Sequence, residues 1–196
     1  MMRMRTPPPC QRILLPMLLC FVLLLMLGMV AGCSKPGSAG NNLTNCIITL
    51  TSINEGNPLQ SDVLTKGYAA DDVINVKFKS EFRTPADDPT APTGPSRFDT
   101  ITFHTYYVTH MRSDGGANPS AFTGGMNVII AADSTAEANV VVVRAFDKNR
   151  YPLQELRNDG EIFTTSTITL YGTDGNGNDL AVSGALSISY ANFPDQ

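Results

Sequence analysis

The chain has 196 residues, with 14 Lys and Arg against 18 Asp and Glu, two His, four Cys and no Trp. A net charge of −4 supplies no cationic face for phosphate, which argues against a nucleic-acid-binding surface. With 42% hydrophobic residues there is enough apolar material for one domain with a core of its own.

The first segment reads as a leader. Arg3, Arg5 and Arg12 precede any acidic residue, the first of which is Glu55, and 13–30 is apolar with Pro16 and Gly28 as interruptions. Charge followed by an apolar run is the order of a secretory signal. A run of about 18 residues is also long enough to span a bilayer as a helix, which takes roughly 17 to 25, so length alone leaves both readings open. The end of the run is more specific. Val30-Ala31-Gly32-Cys33 resembles the lipobox of bacterial lipoproteins, an aliphatic residue and two small ones before a cysteine. The resemblance implies a diacylglyceryl group on the Cys33 thiol, removal of residues 1–32, and acylation of the new amino terminus. Two or more acyl chains hold a protein stably where one holds it marginally, so the implied partner is a membrane, reached through the lipid on Cys33. Ser34 follows in place of the aspartate that retains such proteins at the inner membrane, and the same resemblance therefore points to the outer membrane of a bacterial envelope.

Removing residues 1–32 leaves 164 residues, and losing the three arginines leaves 11 Lys and Arg against 18 acidic groups, a formal charge of −7. Cys10 and Cys20 leave with the leader and Cys33 carries lipid, so Cys46 stands alone. An exported domain with one free thiol has no disulfide within the chain, and Cys46 in NCIITLTSI reads as a small buried hydrophobe. Residues 33–42 then form the lipidated cysteine and a small-residue tether, SKPGSAGNN, whose nine residues span roughly 15 to 18 Å as a flexible coil.

From residue 43 to 196 short β-branched and aromatic runs alternate with turn clusters. In DVINVKFKSEF, Ile74, Val76, Phe78 and Phe82 fall on one face and Asn75, Lys77, Lys79 and Glu81 on the other, the signature of a half-buried strand. Similar runs occupy 46–53, 98–111, 126–132, 139–146, 163–172 and 180–193, and YPLQELR at 151–157 is the one helical turn expected. About seven strands in a single chain predict an all-β, antiparallel sandwich. The closing pair, TITLYGTDGNGNDLAVSGALSISY, resembles the last hairpin of bacterial immunoglobulin-like and fibronectin-type-III-like domains. The whole chain is also loosely similar to small single-domain lipoproteins of metal-reducing bacteria.

Candidate sites were weighed along the same chain. His104 and His110 are separated by an even number, which places both on one face of a strand roughly 20 Å apart; that is too far to share a metal, and a solvated face is the expectation. No GxSxG or HExxH occurs, and the acidic pairs Asp71-Asp72 and Asp87-Asp88 are adjacent residues whose side chains diverge. No catalytic residue is therefore assigned. Asp174, Asn176 and Asn178 place oxygens at alternate positions as the first ligands of a calcium loop do, but the glycine and glutamate that complete such a loop are absent, and a hairpin turn is the preferred reading. No cofactor is expected beyond this possible calcium. The stretch 83–97, with Pro85, Pro89, Pro92 and Pro95, is long for a connection inside a domain. If strands alternate in direction, it shares one end of the sandwich with 173–179. The other end holds 53–71, 112–125 and 147–160, where Phe122, Tyr151, Leu153 and Arg157 are candidate partner anchors, with packing against the sandwich as the alternative. These readings converge on a non-catalytic binding or scaffolding module of the envelope. A calcium-assisted glycan-binding or adhesive module and a hydrolase are the rival functions.

Overall fold

The computed structural model describes residues 44–84 and 96–194. The leader, the lipobox with Cys33, the tether, and residues 85–95 with Asp87 and Asp88 lie outside this range. Eight strands are formed: β1 (Cys46–Ile53), β2 (Leu59–Asp62), β3 (Asp72–Phe82), β4 (Ile101–Arg112), β5 (Phe122–Ile130), β6 (Thr135–Val143), β7 (Glu161–Asp174) and β8 (Asp179–Ala191). One short helical turn, α1 (Ala145–Lys148), and 3-10 turns at Asn54–Gly56, Arg97–Asp99 and Leu153–Arg157 complete the inventory of the described residues.

The strands make two sheets, one in the order β1-β3-β6 and one in the order β2-β8-β7-β4-β5. Leaving β2 aside, the first, second and fifth strands pair in one sheet while the third, fourth, sixth and seventh pair in the other, an all-β sandwich. Every pairing is antiparallel except β2 with β8, which is parallel. The all-β sandwich of about seven strands is therefore present, with β2 as an eighth, short strand in parallel pairing. The chain enters β2 after Asn54, Glu55 and Gly56, three successive residues at φ 49°, 56° and 82°, a turn that lifts it from one sheet to the other. Asn54 holds the turn by accepting from the Asn57 N–H and donating its side-chain amide to the Asn57 carbonyl, both at 2.9 Å.

Alternation decides which side chains meet between the sheets. Ile48 of β1 and Ile74, Val76 and Phe78 of β3 face Ile101, Phe103 and Val108 of β4, Ile168 and Leu170 of β7, and Val182 and Ile188 of β8, all buried. Phe78 and Phe103 stack across the interface with ring centroids 5.2 Å apart. Each such side chain contributes about 1.5 to 3 kcal/mol by leaving water, which is what joins two sheets that share few hydrogen bonds. Cys46 belongs to this interior as expected, and burial raises its thiol above the ordinary value.

Two expected boundaries moved. β5 begins at Phe122 rather than at 126, because Gly124 and Gly125, which read as a turn, are strand residues. Gly124 lies opposite Tyr106, and a Cβ there would come within 2.2 Å of the tyrosine ring; the glycine makes room for the ring. β6 ends at Val143 and α1 takes over, where Lys148 is buried and donates to the Asp62 carbonyl at 2.7 Å and to the Asp72 carboxylate at 2.9 Å. A buried ammonium needs such partners, and these tie β2 of one sheet to β3 of the other.

Candidate functional site

The sequence-derived site residues are scattered. Asp174 ends β7 and its buried carboxylate accepts from the Asn176 N–H at 3.0 Å, the Asn178 N–H at 2.8 Å and the Asn178 side-chain amide at 2.9 Å. Burial works against the charge, yet these donors, led by Asn178, hold its pKa below the ordinary value. Gly177 at φ 85° closes the β7–β8 hairpin. The carboxylate is engaged within its own turn, and Asn178 presents its amide N–H to it.

Of the four candidate anchors, Leu153 is fully buried and Phe122 lies in the core beneath the Arg144 guanidinium, 4.3 Å from the ring centroid. Tyr151 is exposed, and Arg157 reaches Asn149 with its guanidinium while its carbonyl accepts from Asn192. Phe122 and Leu153 are thus corrected from partner anchors to packing residues: Phe122 opens β5 with its ring turned inward and the turn carrying Leu153 folds onto the sandwich, where an apolar side chain gains by leaving water.

The histidines are corrected too. The register of β4 slips between Phe103 and Thr105 against both neighbours, and a one-residue bulge turns every later side chain to the opposite face. His104 is therefore outside and His110 inside. His110 Nδ1 lies 2.7 Å from Ser166 Oγ and 3.2 Å from the Tyr190 hydroxyl. Burial drives its pKa down to about 4, with the nearby Asp147 charge opposing. A histidine beside a serine is the pairing that a hydrolase would need, but here Ser166 is 0% and His110 7% exposed. Both sit between the sheets as a hydrogen-bonded polar knot in the core, which Thr164, 3.2 Å from Ser166 through its hydroxyl, joins to the hollow described next.

The outer face of the five-stranded sheet has a different character. Its side chains are Phe163, Thr165, Thr167, Thr169, Tyr171 and Thr173 on β7, and Ala181, Ser183, Ala185, Ser187 and Ser189 on β8. β4 adds His104, Thr105, Tyr107, Thr109 and Met111, and β5 adds Thr123, Asn127 and Ile129. None of these is Lys, Arg, Asp or Glu. Formal charges on β7 and β8 appear at the two ends, Glu161 and Asp179. Tyr107, Met111, Ile129, Phe163 and Tyr171 are five of the ten exposed large apolar or aromatic side chains among the described residues. The register pairs Tyr107 with Thr169 and Thr105 with Tyr171, so the two tyrosines are diagonal neighbours, about 7–8 Å apart. Beside Phe163 the surface dips into a hollow of about 460 Å³ that reaches Gln60 of β2 and Ser187 and Ser189 of β8. A second crevice of about 650 Å³ continues past Pro58 to Leu50 and Ile53 of β1.

Sequence reasoning passed over this face, although its signal was present. Positions 163, 165, 167, 169, 171 and 173 read Phe, Thr, Thr, Thr, Tyr, Thr, whereas the outward positions 75, 77, 79 and 81 of β3 read Asn, Lys, Lys, Glu. Comparison with known proteins adds no name to the site: no family model matches the chain, and no curated protein matches it.

Proposed function

We propose that the protein is a lipid-anchored component of the bacterial envelope whose sandwich binds another envelope component without catalysis, and that it binds through the outer face of the five-stranded sheet. The anchor rests on the lipobox at Val30–Cys33 and the charged, apolar leader before it. The binding face rests on one observation: among the described residues, half of the exposed large apolar side chains lie on one broad uncharged surface. Isolated exposed apolar residues are ordinary, whereas their concentration on one flat face is the mark of a contact surface. The non-catalytic reading is supported by the position of the His110–Ser166 pair, which lies in the core where a substrate has no access.

Two measurements test the proposal. Intact mass of the native protein is expected to show loss of residues 1–32 with added acyl mass, and Cys33→Ala to release it from the membrane; an N-terminus at Met1 would overturn the anchor. For the face, photo-reactive residues at Thr167 and Tyr107 are expected to capture envelope material in intact cells, and the same probe at Lys77 or Glu137 to capture none. Equal capture from both outer faces would overturn the assignment.

A further inference from the structure

We infer that the occupant of this face is an uncharged polysaccharide, laid along β4 and β7 from Tyr171 past Tyr107 to the hollow beside Phe163. The inference rests on the proposed binding face and names its ligand class. The first argument is electrostatic complementarity. A charged ligand laid on this surface would lose water and find no opposite charge along the middle of the sheet, a loss that is costly unless each charge is paired. A polyanion would also meet Glu161 and Asp179 at the two ends. An uncharged ligand suffers neither penalty.

The second argument is the kind of polar group the face offers. Thr109, Thr165, Thr167, Thr173 and Ser187 present hydroxyls, each with one donor and two acceptor positions that rotate to suit, while Thr105, 3.0 Å from His104 Nδ1, and Ser189, which donates to Glu161, keep acceptor positions for a ligand. A polyol chain carries the same groups, so donors and acceptors match along its length without a fixed charge pattern. Thr169 and Ser183 already bond across strands at 2.9 Å, which keeps that part of the row ordered. The third argument is the rings. Tyr107 and Tyr171 are 37% and 40% exposed and Phe163 is 56% exposed, giving flat apolar plates whose negative π faces suit the C–H side of a sugar ring. Six residues separate the Thr169 row from Phe163, about 20 Å at strand spacing. That distance calls for an extended chain rather than a single sugar. The hollow of about 460 Å³ falls within the roughly 300–1,000 Å³ range of small-ligand sites and receives the end of the chain or a branch.

The test uses the full lipidated chain in a detergent without a sugar headgroup. Retention is measured on insoluble cellulose, chitin and β-1,3-glucan, with alginate as the polyanionic control, for the native protein and for Tyr107→Ala/Tyr171→Ala, Phe163→Ala, Thr167→Lys and Lys77→Ala. Binding to at least one uncharged glycan is expected, persisting at about 1 M salt where charges are screened beyond about 3 Å. The double tyrosine variant and Thr167→Lys are expected to lose about tenfold or more in affinity, ~1.4 kcal/mol, with unchanged melting, and Lys77→Ala to lose nothing. No retention on any uncharged glycan, salt-sensitive retention on alginate alone, or retention indifferent to the face variants would each overturn the inference. If retention fails while Thr167 still cross-links to protein or to a second copy, the glycan falls and the binding face stands. If Thr167 also captures no more than Lys77, both fall.

Discussion

On the outer face of β3 and β6 stand Lys77, Lys79, Glu81 and Glu137, with Lys77 3.4 Å from Glu137 and Lys79 2.7 Å from Glu81. The corresponding outward positions of β7 hold Phe163, three threonines, Tyr171 and Thr173. Both faces come from the same two-residue alternation, and both inner surfaces supply the same core. Alternation therefore assigns side chains to inside and outside, but leaves the chemistry of the outside free. The two outer faces therefore differ in charge within one small domain, a difference that composition averaged over the chain conceals and on which the proposed binding face rests.

The contrast presumes that the two faces are the outsides of one body, and the largest expected effect tests that. Phe103→Ala should cost about 3–5 kcal/mol by urea unfolding, because the ring fills the space against Phe78 between the sheets. A loss below about 1 kcal/mol would mean that the sheets do not share this core. The inner surfaces differ as well, since the five-stranded sheet holds the His110 knot. The unfolded chain protonates His110 as pH falls through about 6.5. The folded chain resists until about 4. Stability should thus be unaffected by His110 above pH 6.5, decline between the two values by up to about 3 kcal/mol at 1.36 kcal/mol per pH unit, and stay at that penalty below. In His110→Gln the decline between pH 6.5 and 5 should flatten; an unaltered slope would place the acid sensitivity elsewhere.

Smaller effects sharpen the comparison at its edges. Asp174→Ala should cost about 1–3 kcal/mol, because it leaves the Asn176 and Asn178 N–H groups without their acceptor. Added calcium should leave the melting temperature of the native protein where it was, since a ligand at 100 times its dissociation constant would add about 2.7 kcal/mol. A calcium-dependent rise abolished by the substitution would restore the calcium loop. The coupling between Lys77 and Glu137, from a double-mutant cycle, should fall at about 0.2–1 kcal/mol and shrink with salt. Thr167→Lys should shift stability by no more than about 0.5 kcal/mol, while its effect on binding is large. A strongly destabilised Thr167→Lys would show that the uncharged face is needed for folding.

Much of this architecture was legible in the residues. DVINVKFKSEF carries its inside and outside plainly, and β3 runs along the whole of it. β2 was not legible, because LQSD is too short to show a period and its parallel partner is more than a hundred residues away. The start of β5 was hidden by Gly124 and Gly125, whose reason is the Tyr106 ring on the neighbouring strand. The burial of His110 was hidden by the bulge before Thr105, which no counting of positions reveals. As for the site, Phe122 and Leu153 were chosen by residue type, and type does not tell whether a loop folds down onto the core. The uncharged face needed a comparison between strands rather than within one.

The turn at Asn54–Gly56 also determines how the domain meets a mechanical load. β1, β2 and β8 all run from the end holding Arg97 and Asn176 towards the end holding α1, and Val63 extends the β2–β8 ladder with a 2.9 Å bond from its N–H to the Ala191 carbonyl. A pull on the amino-terminal side drags β2 one way while a pull on the carboxy-terminal side drags β8 the other. The hydrogen bonds between them lie across the direction of force and must give way together rather than one after another. By leaving its first sheet for a few residues, the chain adds a shear-loaded clasp behind β1, so that tension on the amino-terminal side that passes the β1–β3 ladder is met next at β2 and β8.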